Sequence, residues 1–235
     1  MRRPSVPVTI SLPGNQRQPR CLVTACAARW FWMRGVLFAV FLVVASATVS
    51  AADSYTDAIS TVHRDDYALA ARLFRPLAEQ GHASAQSFLG VLYANGQGVL
   101  QSHEAAAQWY QKAADQGDAA AQYQLGMLSV GGQGRPQNYD VAGQWYRRAA
   151  EQGVAAAQFQ LGRLYENGQG LLQSNEEAAQ WYRRAAEQEY ARAQSHLGLL
   201  HARGQGLPKD YRLAIQWYRR AAGEGDALAQ FRLGV

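Results

Sequence analysis

The chain has 235 residues and a formal charge of +5, but all eighteen acidic residues follow Ala52 while six of the twenty-three basic ones precede it. From residue 53 onward seventeen basic side chains stand against eighteen acidic ones, which excludes the basic footprint that nucleic-acid binding needs. Both cysteines, Cys21 and Cys26, also precede residue 53, so the remainder has no disulfide, thiol nucleophile or thiolate metal site.

Residues 1–52 read as a leader. Met33 and Arg34 introduce an uncharged, mostly apolar run over 35–49, and small residues follow at Val49-Ser50-Ala51 and Ser50-Ala51-Ala52. This is the layout of a secretory signal peptide, with either triplet as its cleavage site. The run is shorter than the ~20 residues that span a bilayer. The expectation is an exported protein, periplasmic or secreted, with a mature chain starting at Ala52 or Asp53. Left uncleaved, the same segment would anchor the chain to a membrane. Met33 is an alternative start to Met1.

Residues 53–81 read as N-terminal capping helices. The stretch from Asp65 to Gly81 matches the second helix of the repeat described next, with Leu73-Phe74 in place of a Trp-Tyr pair. Pro76 falls inside that helix, where a missing N–H and a ring clash predict a kink.

A period of 36 residues then governs the chain. Trp109, Trp145, Trp181 and Trp217 are evenly spaced, and each is followed by Tyr. Leu89-Gly90 recurs through Leu233-Gly234, and a Gly-Gln-Gly triplet recurs from Gly96, Gly132, Gly168 and Gly204. Four units follow: 82–117, 118–153, 154–189 and 190–225. Each reads as two helices divided by the Gly-Gln-Gly break. Ser102, Asn138, Ser174 and Asp210 are N-cap residues for the second helices, and Ser174 with Glu177 forms a capping-box pattern. Gly117, Gly153 and Gly225 end those helices, but Glu189 stands at the third such place and predicts a different or strained join. Pro136 matches Pro208, and Val99-Leu100 resembles Leu171-Leu172, so a 72-residue period overlies the shorter one. Residues 226–235 are a truncated fifth unit. Its Leu228, Phe231 and Leu233 have no second helix to cover them, which predicts fraying, self-association at this edge, or a chain that continues past residue 235.

The recurring pattern of Ala, Ala-Gln, Leu-Gly, Gly-x-Gly and Trp-Tyr-x-x-Ala-Ala resembles the Sel-one-like repeats (SLR), relatives of the tetratricopeptide repeats, over about residues 65–235. The resemblance implies an all-α fold, an α/α superhelix of two-helix repeats. It also implies a non-enzymatic scaffold for protein–protein interaction, with bacterial members often exported and acting in envelope regulation, exopolysaccharide assembly or host contact. First helices in such superhelices line the concave surface.

Comparison of the copies divides the first helix into two faces. Ala83, Ala85, Gln86, Leu89, Gly90 and Leu92 are near-constant, occupy one half of the helical wheel, and are assigned to the repeat interface together with Ala113-Ala114 and the Trp-Tyr pairs. Ser84, Ser87, Phe88, Val91, Ala94 and Asn95 head the changing columns on the other half. Those columns mix aromatics, Met, His and Arg, which are frequent interface anchors. Phe88, Tyr123, Met127, Phe159, Arg163 and His196 are therefore the candidate contacts for a protein partner in the groove.

Catalytic chemistry is not evident. The five histidines fall in different columns, and His103-Glu104 lacks the second histidine of a zinc motif. No Gly-x-Ser-x-Gly elbow is present, and the Gly-Gln-Gly triplets lack both the preceding strand and the following Gly-Lys of a phosphate loop. No catalytic, cofactor-binding or metal residue is assigned. Arg147-Arg148, Arg183-Arg184 and Arg219-Arg220 form an outer ladder, with Glu151 and Glu187 as expected i+3 and i+4 partners; an anionic glycan or lipid is a second use for it. The alternative function is a cell-wall or β-lactam hydrolase of the envelope, by analogy with a few proteins carrying such repeats.

Overall fold

The computed structural model describes residues 54–234, and among these every regular element is a helix. A short helix α1 (54–62) is followed by α2 (Tyr67–Glu79), α3 (Ala83–Asn95), α4 (His103–Asp115), α5 (Ala119–Gly131), α6 (Tyr139–Glu151), α7 (Ala155–Asn167), α8 (Asn175–Glu187), α9 (Ala191–Arg203), α10 (Tyr211–Gly223) and α11 (Ala227–Leu233). From α2 to α10 each helix has 13 residues and packs against its neighbours in the chain. The result is a solenoid of helix pairs, as the period required. The leader, the apolar run 35–49 and its cleavage site lie outside the described residues.

The helix boundaries follow from their caps. Ser102, Asn138, Ser174 and Asp210 each accept a backbone N–H of the first turn, at 3.0–3.1 Å from the third residue on. The capping box at Ser174 is only half formed, because the backbone N–H that Glu177 would accept is donated to Tyr165 O at 3.0 Å. Each first helix closes on a left-handed glycine, as at Gly96 (φ 68°), with Gln97 N–H returning to Leu92 O at 3.0 Å. The second glycine of the triplet is required for a different reason. A Cβ at Gly98 would lie 2.2 Å from the Tyr67 carbonyl group, so the loop can rest on the start of the preceding second helix only without a side chain.

Glu189 does not alter the join it occupies. Its N–H bonds Ala186 O and the next N–H bonds Ala185 O, the pattern found at Gly117 and Gly153. The difference is confined to Glu189 itself, which holds φ 61° in the left-handed region. The expected strain is present and the expected change of geometry is not. Helix α2 continues past Pro76 to Glu79.

The Trp-Tyr pairs divide their work in a way the repeat alone did not reveal. The tyrosine is the fully buried member: Tyr110, Tyr146 and Tyr182 are among the largest side chains removed from solvent. Each lies on the glycine of the Leu-Gly pair in its own unit. A Cβ at Gly126, for example, would meet the Tyr146 ring at 2.4 Å. The tryptophan points back and packs on the core of the preceding helices, Trp109 against Leu89 and Leu92 and their neighbours, Trp145 against Leu125 and Leu128 and theirs. Trp109, Trp145 and Trp217 remain half-buried, and only Trp181 is buried.

The arginine ladder also differs from expectation. Among the described residues the sole ion pair is His196 with Glu166, so Glu151 and Glu187 do not pair with the arginines. The cations lie on the tryptophan rings instead: Lys112 on Trp109 (4.1 Å), Arg148 on Trp145 (4.7 Å), Arg184 on Trp181 (4.4 Å) and Arg220 on Trp217 (5.0 Å). Arg147 reaches Tyr165 and, 72 residues earlier, Arg75 reaches Tyr93, so the longer period is expressed in side-chain contacts.

Candidate partner-binding face

The first helices touch one another through side chains from α5 to α9, and this defines a continuous face. Met127 on α5 meets Gln160 on α7, with Sδ to Nε2 at 3.6 Å. Gln160 Oε1 accepts from Arg163 Nη1 at 3.3 Å. One turn further along α7, Glu166 faces α9, where His196 Nδ1 stands 3.4 Å from Glu166 Oε2 without hydrogen-bond alignment. Tyr182 O–H donates to the same carboxylate at 2.5 Å. The run mixes an exposed thioether, an exposed guanidinium, a half-buried carboxylate and an imidazole.

Its electrostatics centre on Glu166. The nearby His196 imidazole, the Tyr182 hydroxyl and the Arg163 charge hold the Glu166 carboxyl below its ordinary range, against the opposing effect of burial. Burial, followed by the Glu166 charge, pushes the Tyr182 phenol far above its ordinary value, so this hydroxyl is a fixed donor. Burial alone does the same for Tyr110.

The six residues chosen from the sequence are placed unequally. Met127 is 40% exposed and Arg163 is exposed beside it. His196 joins them across α7 and α9. Tyr123 is half-buried against the Tyr146 ring, at 5.9 Å between centroids. Phe88 lies apart at the N-terminal end, stacked on Phe74 at 5.2 Å. Phe159 requires a correction: it is 4% exposed, enclosed by Tyr182, Tyr190 and His196, and it packs in the core between units instead of standing on the open face. Ser195, one unit on in the same column, is buried too, and donates to Asp226 at the start of α11.

Glu166 was missed. Its column reads Ala94, Val130, Glu166, Ala202, and a single carboxylate among small apolar residues was the available signal. Met127 and Arg163 thus form the exposed part of the cluster and Glu166 and His196 its half-buried part, with Tyr182 as buried support.

An all-helical array of 36-residue helix pairs with an open side-chain face is a repeat scaffold. The chain belongs to the Sel1 repeat family, whose model matches residues 61–82, 83–118, 119–154, 155–190 and 191–226. Proteins of this family are generally non-enzymatic scaffolds that bind other proteins. The first match, 61–82, falls on α2 and the turn after it, where the sequence reading placed a capping element.

Among solved structures the chain is similar to a protective antigen present in uropathogenic Escherichia coli strains displaying an SLR fold, at 32% identity and a TM-score of 0.75. That match covers 78% of this chain but 40% of the antigen. A Sel1 repeat protein from Oxalobacter formigenes is 40% identical, with a TM-score of 0.72 over 76% of this chain and 74% of the other. An immunity protein from Pseudomonas aeruginosa is 23% identical over 77% of this chain and 69% of its own, with a TM-score of 0.51, and shares the fold alone. No curated protein matches the sequence.

Proposed function

We propose that the chain is an exported scaffold that holds a protein partner on the face formed by α5, α7 and α9, in a regulatory, assembly or host-contact role at the bacterial envelope or outside the cell. The observation that carries this reading is the contiguous cluster Met127, Gln160, Arg163, Glu166 and His196, which crosses three units and leaves a soft apolar side chain and a guanidinium accessible. Met and Arg are enriched at protein interfaces and Arg is a frequent anchor. The signal-like layout of 33–52 supports export, as does the similarity to a protective antigen. Phe231, 76% exposed on α11, supports self-association as a further contact.

The test is capture of partners from the native envelope by the wild type and by the double variant Met127→Ala, Arg163→Ala. Both side chains stand outside the core, so the fold is retained. Loss of two anchors weakens binding by about 1–2 kcal/mol or more. Unchanged capture moves the site away from this face. An intact Met1 or Met33 terminus on soluble cytoplasmic protein, read by mass spectrometry, contradicts export.

A further inference from the structure

One junction departs from a rule that the other three keep. Near the start of each first helix a buried glutamine bridges two units. Gln86, Gln122 and Gln158 donate Nε2 to Ala78 O, Ala114 O and Ala150 O at 2.9–3.3 Å. Their Oε1 atoms accept from the side-chain amides of Gln116, Gln152 and Gln188, each at 2.8 Å. Gln194 makes the first bond, to Ala186 O at 3.3 Å. The period places Glu224 where its amide donor belongs, and an ionised carboxylate has no hydrogen to give. Gln194 is 3% exposed and its Oε1 has no partner. A buried acceptor left unpaired carries the full cost of its lost hydration.

Gln194 and Glu224 both line the space at this junction. Here the space is a pocket of about 490 Å³ lined by Glu187, Glu189, Gln194, Trp217, Arg220 and Glu224. The charges are unlike those of the sister junctions. There a single acid (Glu79, Asp115 or Glu151) balances a single cation (Lys112, Arg148 or Arg184), with glycine and glutamine at the other two places. Here glutamates replace both, so three carboxylates oppose Arg220 alone. Arg220 lies over the Trp217 ring, and none of the three carboxylates is in an ion pair among the described residues. The C-terminal ends of α8 and α10 meet at this pocket and add negative potential.

We propose that this pocket binds a primary ammonium group, which donates an N–H to Gln194 Oε1 in place of the missing glutamine and sets its charge among Glu187, Glu189 and Glu224. The other cations fit less well. No group of three acidic or histidine side chains among the described residues converges closely enough to hold a metal ion. A quaternary ammonium has no hydrogen for Gln194. A guanidinium would compete with Arg220 for the Trp217 face. The ammonium can come from a free diamine or from a lysine side chain.

Calorimetric titration of the full chain with 1,5-diaminopentane, with N-acetyl-lysine methylamide and with tetramethylammonium tests this. One-site saturable binding of a primary amine is expected, with tetramethylammonium at least tenfold weaker. Tighter binding of the diamine assigns a free amine, and tighter binding of the lysine derivative assigns a peptide. Glu224→Gln and Glu189→Gly each restore the residue of the sister junctions, so they keep the fold; each should weaken the amine at least tenfold. No saturable binding of either amine, equal binding of tetramethylammonium, or wild-type affinity in Glu224→Gln would overturn the proposal.

Discussion

Replacing Tyr146 with alanine should destabilise the chain more than replacing its neighbour Trp145, although tryptophan is the larger residue. Tyr146 is 1% exposed and closes a cluster with Ala142, Ala149, Leu161 and Leu164. Its ring also rests on Gly126, where there is no room for a single added carbon. Truncating a fully buried aromatic costs about 3–5 kcal/mol. Trp145 is half-buried against the preceding core, with Arg148 over its outer side. Trp145 keeps part of its surface in solvent, so truncation there removes less fully buried area and leaves a space that water can enter. A difference of about 1 kcal/mol corresponds to ~0.5 M in the urea midpoint at a slope of ~2 kcal/mol per M. Far-ultraviolet circular dichroism reads it without depending on the tryptophan that one variant removes. Amide exchange would show whether the loss spreads beyond the two adjoining units, since repeat arrays do not always unfold as one. Equal midpoints, or a lower one for Trp145→Ala, would refute the assignment of tyrosine as the inner member of the pair.

Glu189→Gly should raise stability by about 1 kcal/mol, because Glu189 pays the left-handed cost that glycine avoids while the junction hydrogen bonds already match the glycine copies; thermal denaturation checks it. Gln152→Leu should cost about 1–3 kcal/mol by leaving Gln122 Oε1 buried without a donor, as read by denaturant midpoint. The lowered Glu166 carboxyl pKa gives stability that is present above its ordinary value of 4.5 and lost as pH falls through the folded-state value. Melting temperature followed from pH 7 to 3 should therefore fall less steeply in Glu166→Gln than in the wild type.

Much of the fold is written in positions that meet the same need in every copy, with the same residue or one of the same chemistry. The glycine of each triplet, the interface alanines and the capping side chains each answer a fixed backbone need, so repetition exposed them. The site was less legible, because variation has two causes. Met127 and Arg163 vary on an open face. Phe159 and Ser195 vary inside the core, where the partner changes with them: Tyr190 and His196 around the ring, Asp226 against the hydroxyl. A single sequence cannot separate compensated packing from solvent exposure. The tryptophan and tyrosine likewise recur together, and recurrence does not say which one faces inward. The arginines had both carboxylates and aromatic rings within helical reach, and for Arg148, Arg184 and Arg220 the tryptophan three residues back was the partner taken.

The most direct test of the binding face is photo-crosslinking in the native host, with a photoreactive residue placed singly at Met127, Arg163, Arg183 or Arg219. All four side chains are exposed, the first two on first helices and the last two on second helices. A discrete heteromeric adduct from Met127 and Arg163, absent from Arg183 and Arg219, is the predicted result. Adducts confined to Arg183 and Arg219 would contradict the account.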